Sequence, residues 1–171
     1  MHTSIHYLEM RLPSALKPAS RAWSDTGLNL IEVRQPQGRF NRMLYQWVGH
    51  DYQWVDRLSW SVETWQRLVE NPAMRTWVAY SDGAIAGYFE LYRQADDVEI
   101  QYFGLTPEFT GQGLGGPLLQ RCIETAWHWA GTKRVWLHTC SKDHPAALPN
   151  YVARGFEQYR VEHTVQGATG C

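Results

Sequence analysis

Short runs of alternating apolar and polar residues are separated along this chain by stretches in which apolar residues recur every three or four positions. The first pattern indicates β-strands and the second indicates amphipathic helices. Glycine, proline and asparagine residues mark the ends of most of these runs, as expected of turns and helix termini. The pattern predicts strands at 5–11, 28–34, 76–80, 85–92, 98–103, 134–139 and 156–164, and helices at 40–48, 61–70, 117–130 and 144–154.

The order of these elements predicts the direction of several strands. Ser81-Asp82-Gly83 lies between two β-rich runs, which is typical of a β-hairpin. The strand at 98–103 is expected to continue this antiparallel arrangement. A helix separates it from the strand at 134–139, so a right-handed crossover should make these two strands parallel. The chain is therefore predicted to be an α/β protein with a mixed, mainly antiparallel central sheet flanked by helices.

The beginning of the chain is the part that the pattern defines least. Pro13 and Pro18, with serine and alanine between them, indicate a linker after the first strand. We interpret residues 1–22 as an N-terminal arm, residues 23–166 as a single domain and residues 167–171 as a tail. The strand at 5–11 is a candidate for an edge of the sheet. A chain of 171 residues is long enough for one domain with a substantial core.

The segment Val98–Gln120 combines a strand, a glycine-rich turn and the start of a helix. Gly113, Gly115 and Gly116 directly precede Pro117, which suits a first helical turn because it has no N–H to leave unpaired. The free N–H groups at such a start carry partial positive charge and can bind a phosphate or pyrophosphate. A P-loop would need a Gly-Lys-Ser/Thr ending, and the dinucleotide fingerprint an acidic residue about 20 positions later. Both are absent from the sequence.

Two motifs of this chain resemble those of the GNAT superfamily of acyl-CoA-dependent N-acyltransferases. Thr110–Gly115 is similar to the signature Arg/Gln-x-x-Gly-x-Gly/Ala, with Thr110 in place of the usual Arg or Gln. Tyr151–Phe156 is similar to the closing motif Tyr-x-x-x-Gly-Phe. The resemblance covers about Arg75–Phe156 and implies a GNAT-like acyltransferase fold in which the two parallel strands splay apart. It implies acetyl-CoA as the cofactor and acetyl transfer to a primary amine as the activity.

The resemblance also implies which residues form the site. The pantetheine arm of the cofactor is expected between the splayed strands, and its pyrophosphate at the glycine-rich turn. In direct transfer, Glu99 would act as the base for the amine and Tyr151 would protonate the leaving thiolate, with Glu90 as a rival for the base. The implied cofactor-binding residues are Phe103, Gly104, Leu105, Gln112, Gly113, Leu114, Gly115 and Gly116.

Two other interpretations of the chemistry remain at this point. His138, Cys140 and His144 could serve a Cys/His nucleophile with Asp143 as its orienting group, although direct transfer between bound substrates needs no covalent nucleophile. A non-catalytic acyl-CoA-binding sensor would keep the glycine-rich turn and lose the acid and the base. The presence of Glu99 and Tyr151 favours the enzyme.

Composition narrows the choice of partners. Sixteen basic and seventeen acidic residues give a formal charge of −1, which predicts no binding to nucleic acid or to an anionic membrane. The sequence lacks an apolar run of about 20 residues and an N-terminal signal peptide, so we expect a cytoplasmic protein. The three cysteines lack metal-site spacing, and no metal is expected. The expected partner is a small-molecule or peptide amine, bound by a monomer or homodimer.

Overall fold

The computed structural model describes residues 3–164, which form one seven-stranded sheet with helices on both faces. The strand order across the sheet is β2-β3-β4-β5-β6-β1-β7. The strands are β1 Thr3–Met10, β2 Asn29–Glu32, β3 Met74–Ser81, β4 Ala84–Gln94, β5 Asp97–Leu105, β6 Arg134–Cys140 and β7 Glu157–Thr164. The α-helices are α1 Gly38–Gly49, α2 Val62–Glu70, α3 Gly115–His128 and α4 Ala147–Ala153. None of these helices is long and apolar enough to cross a membrane.

The predicted hairpin between β3 and β4 is confirmed. Asp82 and Gly83 both have positive φ angles, of 47° and 86°, as a two-residue turn between twisted antiparallel strands requires. The next strand, β5, pairs antiparallel with β4 from Gln94↔Asp97 to Gly87↔Leu105. The strands β2 to β5 therefore form a continuous antiparallel half of the sheet.

The parallel pair in the middle of the sheet is also confirmed. After β5 the chain crosses over through α3 and returns as β6, which pairs parallel with β5. This pairing covers only three positions, from Asp97↔Arg134 to Glu99↔Trp136, although β5 continues to Leu105 and β6 to Cys140. The two strands therefore separate after Glu99. The predicted fold class, a mixed and mainly antiparallel sheet with splayed parallel strands, is thus confirmed.

The first strand lies inside the sheet and not at its edge. β1 pairs antiparallel with β6 on one side, through Tyr7↔His138, and with β7 on the other, through Tyr7↔Arg160. Leu8 and Met10 are buried in the core. The segment interpreted from the sequence as an N-terminal arm thus contributes a strand to the same sheet as the residues after it.

Each face of the sheet has its own buried core. On one face, α3 packs its apolar side, including Leu118, Leu119 and Ile123, against the strands. On the other face, α1 and α2 cover the antiparallel half with a largely aromatic cluster. Its buried members are Leu44, Tyr45, Val48, Trp54, Trp65, Val78 and Tyr88. The helices therefore cover the two faces of the sheet with separate apolar clusters.

Candidate active site

The glycine-rich turn delivers the start of α3 to the end of β5. Gly111 and Gly113 adopt positive φ angles of 78° and 73°, a conformation that residues with a Cβ rarely adopt. The helix begins at Gly115, two residues earlier than predicted, and Leu114 at its N-cap position forms no capping hydrogen bond through its side chain. The N–H groups of Gly115 and Gly116 belong to the first turn, which has no intrahelical acceptors for them. They are therefore available to an anionic ligand.

Few protein atoms lie near the position that a side chain at Gly115 would occupy. A Cβ built on Gly115 would meet only the Asn150 amide nitrogen, at 3.6 Å. Asn150 itself donates a hydrogen bond to the Gly115 carbonyl oxygen at 3.1 Å, and so connects α4 to the helix start. Glycine at this position keeps the backbone accessible, and packing within the protein does not require it.

A cavity of about 230 Å³ extends from this helix start along the end of β5. Of the residues that the resemblance implies for cofactor binding, six line it, whereas Gln112 and Gly116 are absent from the lining. Its lining residues are Val48, Tyr52, Trp54, Phe103, Gly104, Leu105, Thr110, Gly111, Gly113, Leu114, Gly115, Asp143, His144, Ala146, Ala147, Asn150 and Tyr151. Most of this lining is apolar, as expected for the binding site of a long organic chain.

The N-terminal segment packs against the glycine-rich turn, which the sequence did not predict. Arg21 donates a hydrogen bond to the Gln112 carbonyl oxygen at 3.0 Å. Ala19 N–H donates to the Gln120 side chain at 2.8 Å, and Lys17 N–H donates to the Arg154 carbonyl oxygen at 2.9 Å. The segment therefore brings a guanidinium group to the turn in which Thr110 replaces the usual Arg or Gln.

Tyr151 lies on α4 and lines the cavity. Its ring contacts Phe103 and Phe156, with centroids 6.4 and 6.2 Å away, and 6% of the residue is exposed. Burial raises the pKa of its phenol well above the ordinary value, and the negative charge of Asp143 adds to this effect. The hydroxyl therefore keeps its proton at neutral pH, as a general acid must.

Tyr52 and His144 both line this cavity. Tyr52 follows α1, whereas His144 precedes α4, and their rings are 5.1 Å apart. Asp143 beside them has a raised pKa because it is buried, although the His144 N–H and the Thr139 hydroxyl donate hydrogen bonds to it and oppose the rise. Asp143 hydrogen-bonds these two groups and not the ring of either histidine, so the geometry gives no support to a Cys/His nucleophile oriented by Asp143.

Glu99 is the last residue of β5 that pairs with β6, directly before these two strands separate. Its side chain is 14% exposed and does not line the cavity. One carboxylate oxygen, Oε1, lies 3.5 Å from His138 Nδ1 on β6. The other, Oε2, accepts a hydrogen bond of 3.4 Å from the Gln101 amide. The carboxylate is thus held at the fork between the two strands, on the face that α1 and α2 cover.

Glu90, the rival base, is fully buried in an ion pair. Its Oε2 accepts from Arg57 Nη1 at 2.6 Å, and its Oε1 accepts from Asn41 Nδ2 at 3.1 Å. Arg57 is 5% exposed, and Glu90 has no exposed surface. Burial alone would lower the pKa of Arg57, but the charge and the hydrogen bond of Glu90 raise it. With both oxygens bonded within the protein, Glu90 is a poor candidate for accepting a proton from a substrate.

Arg57, the buried partner of Glu90, is the charged residue near the candidate site that sequence reasoning missed most clearly. Its guanidinium lies over four aromatic rings, with the nearest centroid, that of Tyr102, at 4.4 Å and that of Trp60 at 5.1 Å. Tyr45 and Trp65 complete this aromatic box at 5.9 and 5.6 Å. Arg57 lies in the irregular connection between α1 and α2, where the sequence pattern predicts no element. The number of tryptophans and tyrosines there was the only available signal.

Comparison with known proteins gives consistent results. The model of the acetyltransferase (GNAT) family matches residues 41–156. A protein of Bacillus subtilis (strain 168), to which the activity of a ribosomal protein bS18-alanine N-acetyltransferase is ascribed, is 32% identical over 82 residues. These residues are 48% of this chain and 54% of that protein, so the match spans about half the length of the curated relative.

Solved structures share the fold at low sequence identity. A GCN5-related N-acetyltransferase from Sphaerobacter thermophilus matches 95% of this chain and 51% of its own, with a TM-score of 0.70 and 15% identity. One from Kribbella flavida matches 94% of this chain and 56% of its own, with a TM-score of 0.66 and 17% identity. An aminoglycoside acetyltransferase from an uncultured soil metagenomic sample matches 76% of this chain and 88% of its own, with a TM-score of 0.63 and 16% identity. The match of the family model over residues 41–156, on this fold, establishes that the chain belongs to the acetyltransferase (GNAT) family.

Proposed function

We propose that this protein transfers an acetyl group from acetyl-CoA to a primary amine. The observation that carries the proposal is the uncapped start of α3, which opens into a cavity ending at a buried, protonated tyrosine. The positive end of a helix favours phosphate, and the apolar cavity beyond it suits an extended organic chain. Membership of the GNAT family agrees with both features.

The residues of this chain fit acetyl-CoA. The free N–H groups of Gly115 and Gly116 would hold its pyrophosphate, and Arg21 beside Gln112 would supply a positive charge that Thr110 lacks. The backbone of Phe103–Leu105, which lines the cavity after β5 and β6 separate, would hold the pantetheine arm. When bound, acetyl-CoA supplies the acetyl group as a reactive thioester.

The chemistry assigned to the chain consists of two proton transfers. The Glu99 carboxylate at the fork of β5 and β6 takes a proton from the amine, directly or through a water molecule. The Tyr151 hydroxyl, which is buried and keeps its proton, donates a proton to the departing sulfur. Glu99 is preferred to Glu90 as the base because both oxygens of Glu90 are bonded to buried partners.

The acceptor is proposed only as a class. Two kinds of amine acceptor appear among the proteins compared: acetylation of an alanine of a ribosomal protein is ascribed to the curated relative, and one protein of similar fold is an aminoglycoside acetyltransferase. A small-molecule or peptide amine is compatible with both. A non-catalytic sensor of acyl-CoA is the second candidate, and the buried phenol at the end of the cavity argues against it, because a sensor has no use for a general acid.

Release of CoA from acetyl-CoA in the presence of single amines tests the proposed function. The panel would include an alanine-initiated peptide, sisomicin and spermidine, and chromatography would quantify both CoA and the acetylated product. We expect one class of amine to give turnover well above the rate of acetyl-CoA hydrolysis. Binding of acetyl-CoA with no acetylated product from any amine would favour the sensor, and no binding at all would overturn both.

A further inference from the structure

A line of polar side chains connects the buried ion pair to the carboxylate at the fork. Arg57 Nη1 bonds Glu90 Oε2 at 2.6 Å, and Arg57 Nη2 donates to Gln101 Oε1 at 2.9 Å. Gln101 Nε2 in turn donates to Glu99 Oε2 at 3.4 Å.

An irregularity in β5 coincides with this connection. Opposite Glu90 and Leu91 of β4, the partners in β5 are Tyr102 and Ile100, so Gln101 is an extra residue that has no partner of its own. Such a bulge interrupts the alternation of side chains between the two faces of a sheet. Glu99 and Gln101, two residues apart, share one face, and the bulge adds the neighbouring Tyr102 to that face. Arg57 can therefore contact the Tyr102 ring and the Gln101 side chain at the same time.

The ion pair fixes Arg57 in one orientation. Glu90 bonds one end of its guanidinium, and the aromatic box of Tyr45, Trp60, Trp65 and Tyr102 surrounds its plane. The guanidinium is a rigid, planar group, so the direction of one N–H bond determines the directions of the others. The second end of Arg57 is consequently aimed at Gln101.

The chemistry of Arg57 also determines the orientation of the Gln101 amide. A guanidinium has N–H donors and no acceptor, so only the oxygen of the amide can face it. The NH₂ group must then point the other way, towards Glu99. An amide with the opposite orientation would present its oxygen to the carboxylate and leave Arg57 Nη2 facing a donor, which is unfavourable on both sides.

We propose that Arg57 is a positioning residue for the proposed reaction, which acts through Gln101 to hold the Glu99 carboxylate in the orientation needed to accept the proton of the amine. The inference rests on the proposed role of Glu99 as the base. His138 Nδ1, 3.5 Å from Glu99 Oε1, borders the carboxylate on its other side. Glu99 is thus held between β5 and β6 at the point where they separate.

Gln101→Glu is the substitution that separates positioning from a purely structural role. It is nearly isosteric, and the new carboxylate keeps an acceptor for Arg57 Nη2. Towards Glu99, however, it replaces an N–H donor by an oxygen, so the hydrogen bond becomes a repulsion. We expect kcat to fall by about 10- to 100-fold, as for other small misplacements of a catalytic group, with KM for acetyl-CoA unchanged. Gln101→Leu, which removes both contacts, should give a similar loss.

A double-mutant cycle with Glu99→Gln distinguishes failure of this inference from failure of the proposed function. The measurement is CoA release with the most active amine of the panel described above. If Gln101 acts through Glu99, Gln101→Leu should have little further effect in the Glu99→Gln background. Gln94→Glu, at an exposed position near the end of β4, is the matched control and should keep the parent turnover.

Each result has a distinct meaning. Full turnover in Gln101→Glu together with slow turnover in Glu99→Gln would overturn the positioning role and leave the base assignment intact. Parent-like turnover in Glu99→Gln would remove the base assignment, and the positioning role with it. Additive losses in the double variant would mean that Gln101 acts independently of Glu99, which also overturns the inference.

Discussion

The buried pair of Arg57 and Glu90 gives the sharpest prediction about stability. Arg57→Met would retain much of the apolar side-chain volume and remove the charge, leaving Glu90 with no exposed surface and with Asn41 as its remaining hydrogen-bond donor. Removing one partner of a buried ion pair typically costs about 3–5 kcal/mol, because the other charge is left uncompensated. Loss of the cation–π contacts with Tyr102 and Trp60 adds about 0.5–2 kcal/mol.

The size of the effect can be checked by thermal and denaturant unfolding. In a domain of this size each kcal/mol corresponds to about 2–4 °C in Tm. The combined loss of about 3.5–7 kcal/mol in Arg57→Met should therefore lower Tm by roughly 7–28 °C. Arg57→Met combined with Glu90→Gln removes both charges and should recover most of the loss, since replacing a whole buried pair is often nearly neutral. The difference should persist at high salt because both groups are shielded from solvent.

Two results would refute this reasoning. A loss below about 1 kcal/mol in Arg57→Met would mean that water or a neighbouring group compensates Glu90. A double variant as unstable as the single variant would mean that packing of the arginine, and not the pairing of charges, provides the stability. Arg34→Met, at an exposed ion pair with Glu32, is the control and should change stability by less than about 1 kcal/mol.

Three further predictions concern the site. Gly115→Val should fold normally, because a Cβ at this position meets only Asn150, at 3.6 Å. It should nevertheless weaken acetyl-CoA binding by at least about tenfold in calorimetry, with Gly115→Ala intermediate, and unchanged affinity would place the phosphates elsewhere. Tyr151→Phe should keep acetyl-CoA affinity and lose about 10²–10⁴ in turnover, whereas Tyr159→Phe, at an exposed position, should lose none. Burial raises the pKa of Tyr151 and Tyr88 in the folded protein. The unfolded chain therefore releases these two protons at lower pH, near pH 10, and the stability of the folded protein should fall as pH rises above that value. A Tm that stays constant from pH 9 to 11 would contradict this.

The sequence alone determined the elements and the glycine-rich turn. These features depend on local chemistry: the period of apolar residues, the tolerance of Gly111 and Gly113 for positive φ, and the suitability of Pro117 for the first turn of a helix. The crossover between β5 and β6 also followed from the sequence, because a strand, a helix and a strand in succession almost always give a right-handed parallel pair. The division into an arm, a domain and a tail stays a prediction, and its last residues, 165–171, lie outside the described part of the chain.

Only the tertiary structure decided which strands are neighbours and which charges meet. β1 inserts between β6 and β7, about 130 and 150 residues later in the chain, and no local pattern encodes a pairing over such a distance. The contact of Arg57 with Glu90 and Gln101 likewise joins three separate segments, and it lies beside a one-residue bulge whose position the alternation of side chains does not reveal. Periodicity specifies how a segment folds on itself, whereas the partner of each segment is determined by the free energy of the whole packed sheet and its helices.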